Sequence, residues 1–310
     1  MDVTVIIPTY NRLWSLPKTI QSCKEQGTNT EIIVIDDGST DGTWGWLQKQ
    51  EGIRTFRQEN QGKGWAVNFA IRKSQCKYVR FLDSDDWLTH DVNQRQIQIA
   101  ENNKADVVMA GYEVFSDKND ITEFKKWKMC DDLISQFLGE CEYSHYSAFM
   151  FRREFILDIP HRPECSIRDD YLFCLEVLLN KPVVAFDDFP GFVHRHHSQD
   201  RLQKTRGLTS ALSHYQQRLI FRRIIGRLKN RGELTPRRSI AASKTLWPLA
   251  HWIAYTDLDE ACEIEYWIRE LNPEFFIPEK GVLGSLYRNI GFRNTEIILL
   301  LRRYIMNVFR

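Results

Sequence analysis

The chain is 310 residues long, 43% hydrophobic and 27% charged, the proportions of a soluble globular protein with room for a large domain and a smaller one. Its net charge of +1 conceals an asymmetry: residues 1–200 carry 23 Lys/Arg against 31 Asp/Glu, and residues 201–310 carry 19 against 10, so only the C-terminal part is suited to an anionic surface, and a nucleic-acid partner is not expected. Seven cysteines without a CxxC pair argue against a disulfide framework, no run reaches the roughly 20 apolar residues of a membrane span, and Met1 to Pro8 lacks the pattern of a signal peptide, so a cytoplasmic protein is expected.

Val3 to Ile7 is a continuous apolar run, the mark of a strand covered on both faces in a parallel sheet. Pro8-Thr9-Tyr10-Asn11 should end it, because proline cannot donate to the ladder. A helix follows from about Ser15 to Gln26, with Ser15 as its cap and Pro17 in its first turn. Ile32 to Ile35 is a second buried strand that ends in Asp36-Asp37, and in the loop to Gly42 either Asp41 or Thr40 can cap a helix beginning near Thr43. A weaker strand spans 53–57. Glu59-Asn60-Gln61-Gly62-Lys63-Gly64 then leads into a helix over 65–74.

The stretch that organises the chain is Tyr78 to Leu88. A mostly apolar run ends abruptly in Asp83-Ser84-Asp85-Asp86, three carboxylates in four residues. Such a cluster repels itself, and a divalent cation bridging to phosphate oxygens is one reason to keep it. A strand-to-helix loop in which Asp86 or Thr89 caps the next helix is the other. A helix near 91–102 and a strand over 106–113 follow. Strand and helix alternate at spacings that demand right-handed crossovers, so the ends of the first, second and fourth strands share one edge of a parallel sheet and can converge on one ligand. There is no GxGxxG and no Walker lysine loop, which favours a metal-held diphosphate over a Rossmann dinucleotide.

These residues resemble the inverting family-2 glycosyltransferases of the GT-A fold. The matching stretches are Val5 to Arg12, Val34 to Asp41, Glu59 to Gly62 with Asn68, and Phe81 to Asp86, in the same order and spacing over roughly residues 3–200. The resemblance implies an α/β fold, a GT-A type, mostly parallel nucleotide-binding sheet flanked by helices (residues 1–205), and the helical period beyond it adds a C-terminal α-helical appendage (206–310). It implies that Pro8, Thr9, Tyr10 and Asp37 hold the nucleoside. Asp83 would contact ribose or metal, with Ser84 beside it, and Asp85 would be the metal ligand of the DxD motif. Where the family often has Ala-Arg-Asn, this chain has Ala66-Val67-Asn68, and Lys63 could supply the missing phosphate contact.

Residues 114–140 are irregular and charged, as expected of a loop and helix bordering an acceptor. Ser144 to Arg153 reads as a strand leading into a helix, with His145 a candidate acceptor contact. Arg168-Asp169-Asp170 opens an amphipathic helix with Leu172, Leu175, Leu178 and Leu179 on one face. First-turn acids are ordinary helix capping. The resemblance instead makes the second acid, Asp170, the catalytic base, with Asp169 as the alternative. A sugar hydroxyl needs a carboxylate to take its proton. A strand over 183–186 precedes His194-Arg195-His196-His197. Neighbouring histidines on an extended chain face alternately, against a zinc site. The family's Arg-x-His maps onto Arg195 and His197, near metal and diphosphate.

From Leu208 the period becomes helical. One stripe runs from Leu208 to Leu228, a second from Leu258 to Leu271 ends at Pro273, and a third combines Ile297, Ile298, Leu301, Tyr304, Ile305 and Val308. Trp247-Pro248 should kink or end the helix between the first two. The stripes either pack on the protein, or the basic last helix lies on an anionic membrane or forms an oligomer seam, since Arg288, Arg293, Arg302, Arg303 and Arg310 cluster there. The expected activity is transfer of a sugar from a nucleotide diphosphate donor (a UDP-sugar) to a hydroxyl of a glycan or lipid-linked glycan in surface polysaccharide synthesis, with Mg²⁺ or Mn²⁺ on Asp85, Asp83 and His197. A nucleotidyltransferase, or an inactive carbohydrate-binding scaffold, is the alternative.

Overall fold

A computed structural model describes residues 2–199 and 208–308. Its contacts divide the chain into two compact units, Met1–Asp131 with Tyr143–Asp200 and Asp132–Glu142 with Arg201–Arg310. The expected boundary at 205/206 lies outside the described residues. Residues 132–142, expected within the first domain, belong to the second unit.

The first unit opens with β1 (Val3–Thr9), α1 (Leu16–Lys24), β2 (Thr30–Asp36), α2 (Thr43–Leu47), β3 (Arg54–Arg57), α3 (Lys63–Lys73), β4 (Tyr78–Phe81), β5 (Trp87–Leu88) and α4 (Val92–Asn103). Next come β6 (Val107–Ala110), β7 (Tyr112–Ser116) and β8 (Ile121–Lys125). Among the described residues the main sheet has the order β10-β6-β9-β4-β1-β2-β3, where β9 is Met150–Arg152 and β10 is Val184–Asp187. It is parallel except for β9, which runs against both β4 and β6. β1 continues through Pro8, which pairs with Ile35 of β2. The expected stop does not occur because the pairing of β1 with β4 already ends at Ile6, so on that side Pro8 has no ladder bond to lose.

The single strand expected over 106–113 is two strands in two sheets. It breaks at Gly111, where a Cβ would lie 2.6 Å from the Lys125 carbonyl oxygen, so the backbones cross too closely for any side chain. β7 then joins a smaller sheet of order β5-β11-β7-β8, with β11 spanning Phe192–His196. The apolar-looking β4 carries a fully buried Arg80. Its guanidinium donates to Asn93 Oδ1 at 2.9 Å and Gln96 Oε1 at 2.8 Å, both on α4, and burial pulls its pKa down to about 10. The unit also holds α6 (Arg153–Ile156), and α7 (Asp169–Leu179), which buries Leu172, Phe173, Leu175 and Leu179.

The second unit contains α5 (Leu133–Ser135), continued by a single π-turn over Gln136–Glu140, then α8 (Leu208–Asn230), α9 (Pro236–Ile253), α10 (Leu258–Leu271) and α11 (Gly281–Val308). Its core joins Phe221, Ile224 and Leu228 to Leu246, Leu249, Ile264 and Ile268. Arg238 pairs with Asp132 and Arg237 with Glu140, each at 2.9 Å, which fixes the 132–142 segment to α9. α9 runs past Pro248 to Ile253, so the expected helix end is not there. α11 is interrupted at Gly291 (φ +81°). Among the described residues no helix is long and apolar enough to cross a membrane.

Candidate active site

Parallel pairing of β1 with β2 and β4 brings three loops to one edge of the main sheet. The first two are laced together. Asp37 donates its amide to the Thr9 carbonyl at 2.8 Å, Ser39 Oγ accepts the Asn11 amide at 2.9 Å, and Asn11 Oδ1 accepts the Thr40 amide at 2.8 Å. Asp41 accepts from Thr43 and Leu13, so it anchors α2 to the first loop.

Asp37 is buried and its oxygens are occupied. They accept from Gln58 Nε2 at 2.7 Å and from the amides of Gln61 and Gly62 at 2.9 Å each. Asp37 therefore shapes the loop that starts α3. Beside it, Thr9 Oγ1 is buried with no hydrogen-bond partner among the described residues, and Tyr10 stands exposed. The buried Thr9 hydroxyl without a partner and the exposed Tyr10 ring are both groups that a bound ligand could engage.

The acidic turn after β4 is held from below by α1. Ser15 makes no capping bond with its side chain. Its hydroxyl donates to the Ser84 carbonyl at 2.8 Å, and Thr19 Oγ1 donates to the Asp86 carbonyl at 2.7 Å. With their backbone fixed, the three carboxylates separate. Asp83 pairs with Lys63. Asp85 Oδ2 lies 3.0 Å from His197 Nε2 and 3.5 Å from Arg12 Nε. Asp86 is buried, accepts the Arg195 amide at 2.8 Å and faces His194 Nδ1 at 3.3 Å. The helix expected to be capped by Asp86 or Thr89 begins instead at Val92, with Asp91 at its N-cap position.

Charge follows this geometry. Burial works against the Asp83 carboxylate, but Lys63, with His145 and His194 nearby, outweighs it and holds Asp83 below the usual carboxylate range. Burial likewise opposes the Lys63 ammonium, yet Asp83 and Asp170 together raise its pKa. Asp86 has no comparable cation, and burial pushes it up to about 6. Burial drives His145 down to about 4, and its ring is stacked on His194 with ring centroids 5.4 Å apart.

The acidic pair at the start of α7 divides its labour. Asp169 is buried and bridges His161 Nδ1 at 2.5 Å and the Arg162 amide at 2.6 Å. Asp170 stays partly exposed, accepts the Tyr171 amide at 2.8 Å, and acts electrostatically on Lys63 and His145. Asn68 is committed elsewhere, since its amide donates to and accepts from the backbone of His161 at 2.9 and 2.8 Å. Of the three residues expected to share a cation, Asp85 and His197 meet while Asp83 turns to Lys63. Among the described residues no three His, Cys, Asp or Glu side chains are gathered for a metal. Sequence reasoning did not single out His161, whose only signal would have been the histidine eight residues before Asp169.

A model of the family described as glycosyl transferase family 2 matches residues 4–159. An uncharacterized glycosyltransferase of Rickettsia bellii (strain RML369-C) is 38% identical over 105 residues, 33% of this chain and 15% of that protein. The poly(ribitol-phosphate) beta-N-acetylglucosaminyltransferase TarP of Staphylococcus aureus (strain N315) is 29% identical over 192 residues, 57% of this chain and 58% of TarP. The chain thus spans less than two thirds of either relative. The crystal structure of S. aureus TarS 1-349 in complex with UDP-GlcNAc superposes with a TM-score of 0.60 at 16% identity, covering 96% of this chain and 90% of that one, which is a likeness of fold.

Proposed function

This chain belongs to glycosyl transferase family 2, and on that premise we propose that it moves a sugar, with inversion, from a nucleoside diphosphate donor to a hydroxyl of a glycan or lipid-linked glycan. The observation that carries this reading is Lys63, whose ammonium pairs with Asp83 at the end of β4 and also feels the Asp170 carboxylate at the start of α7. A strand-end acid suited to a donor and a helix-start acid suited to an acceptor would thereby border one site. The UDP-GlcNAc held by TarS supports a UDP-sugar as donor, and the poly(ribitol-phosphate) in TarP's name supports a hydroxyl-bearing polymer as acceptor.

Thr9, Tyr10 and the loop shaped by Asp37 would take the nucleoside. Asp85 and His197 fit a divalent cation as a carboxylate and an imidazole already in contact, with donor phosphate oxygens and water able to fill the remaining positions. Mg²⁺ or Mn²⁺ held there would neutralise negative charge on the leaving diphosphate. Arg12, 3.5 Å from Asp85, adds a cation on the same side. Asp170 would take the proton of the acceptor hydroxyl as that oxygen attacks the anomeric carbon and the bond to the diphosphate breaks. Asp169 is a positioning residue, since it holds His161 and the Arg162 amide.

Thermal stabilisation by a panel of nucleotide sugars, with Mn²⁺ and with chelator, tests the donor side, because a ligand that binds only the folded state raises Tm. A UDP-sugar should raise Tm with Mn²⁺ and lose most of the effect in chelator. An unchanged Tm across the panel contradicts the reading. Proton NMR of the transferred sugar then tests inversion.

A further inference from the structure

α11 is amphipathic in an unusual sense, with its apolar side outermost. Beyond Gly291 the buried positions are Phe292, Thr295 and Glu296. Glu296 receives His251 Nδ1 and, at 2.6 Å, the hydroxyl of Tyr287, while the Arg303 guanidinium lies 3.4 Å from the centroid of Tyr255. Glu296 is therefore bonded to Tyr287 and His251 inside the helical unit. Ile297, Leu301 and Ile305 succeed each other at four-residue spacing, with Ile298 and Tyr304 to either side, and all five are exposed, Leu301 at 57% and Tyr304 at 71%. A row of this length in solvent is a docking surface and not scattered exposure.

We propose that this face of α11 seats the protein on an anionic membrane surface, lying in the plane of the headgroups. Charge chooses the occupant. Residues 281–310 contain Arg288, Arg293, Arg302, Arg303 and Arg310 and one acid, Glu296, which is buried. Arg302 is exposed beside the apolar row, and Arg293, paired with Asp259 at 2.6 Å, borders it on the other side. A second copy on a two-fold seam would bring the exposed Arg302 toward the helix's own arginines, since Glu296 is buried and Asp259 is already paired with Arg293. Anionic headgroups answer the arginines and the acyl boundary takes the isoleucines and leucine. No described helix is apolar enough to cross a bilayer, so the seating is interfacial.

The test is co-sedimentation of the full chain with vesicles of phosphatidylcholine alone and of equal parts phosphatidylcholine and phosphatidylglycerol. The unmodified protein should pellet with the anionic vesicles and stay in solution with the neutral ones. Leu301→Asn with Ile305→Asn should lower the partition coefficient by at least about a hundredfold, and Arg302→Gln by about fivefold. These side chains lie on the outer face, so Tm should stay at the parental value. Amide exchange over residues 293–306 of the unmodified chain, with and without anionic vesicles, gives a reading that needs no variant, and slowing is expected there. Protein that remains in solution with anionic vesicles overturns the proposal. So does a concentration-dependent dimer abolished by the Leu301/Ile305 change, which assigns the face to a second copy.

Discussion

Asp85 Oδ2 and His197 Nε2 stand 3.0 Å apart across 112 positions of sequence, and the Trp14 ring makes a T-shaped contact with the same imidazole at a centroid distance of 4.7 Å. The contact joins the turn after β4 to the chain leaving β11, so it exists only once both sheets have formed. Asp85→Ala or His197→Ala should each weaken Mn²⁺-dependent UDP-sugar affinity by more than about a hundredfold, since even the outer partners of a metal ligand cost about 10–100-fold. Calorimetric titration with and without Mn²⁺ measures it. Parental affinity in both variants removes the metal from this position.

Asp170 and Asp169 are neighbours with separable jobs. Asp170→Asn keeps shape and the bond to the Tyr171 amide but cannot take a proton, so turnover should fall by about 10²–10⁴ with donor affinity unchanged. Asp169→Asn leaves His161 and the Arg162 amide without their carboxylate. It should lower Tm as well as turnover. Normal turnover in Asp170→Asn beside a folded but inactive Asp169→Asn would move the base one residue upstream.

Much of the first unit is legible in the sequence because each apolar run of residues 3–110 stops at turn-forming residues, and parallel topology follows from the spacing. What the sequence leaves out depends on contacts far along the chain. Gly111 looks like any strand residue until the Lys125 carbonyl is found 2.6 Å from its Cβ position. The DxD acids read as one cluster, yet Lys63, His197 and the Arg195 amide each claim a different one. Asn68 and His161 depend on each other, 93 positions apart. On α11 the stripe is plain from periodicity, but which side faces solvent is decided by Glu296 finding His251 and Tyr287.

Gly38 follows Asp37 at φ +82°, and a Cβ there would sit 2.9 Å from the Asn60 amide nitrogen. Both the backbone angle and the crowding exclude a side chain, and the neighbour is main chain that cannot swing aside. Gly38→Ala should cost about 1–3 kcal/mol and disturb the hold of Asp37 on the Gln61 and Gly62 amides. The expected kinetic signature is a raised KM for the nucleotide sugar with kcat less affected. Parental Tm and KM together would show that the loop tolerates the change.

Glu31 ties three segments together away from the site. Its carboxylate accepts from Thr4 Oγ1 at 2.5 Å and the Gln75 amide at 3.0 Å, and it pairs with Arg54. Burial opposes its ionisation, but the Thr4 and Gln75 bonds, with Arg54, outweigh that and hold its pKa below the ordinary glutamate value. A folded-state pKa that is depressed stabilises the protein above the unfolded value of about 4.3, and the contribution is lost as pH falls through the folded value. Glu31→Gln should therefore lower stability at pH 7 by about 1.5–3 kcal/mol, the range for hydrogen bonds to a charged group. As pH falls below about 4.3 the gap should narrow, and it should close once pH lies below the depressed folded-state value of Glu31, where the parental carboxyl is protonated as well. Urea midpoints of both proteins at neutral and acid pH, with the m-value checked for constancy, give the comparison. A gap that persists undiminished in acid would mean that the ionised carboxylate is not what Glu31 contributes.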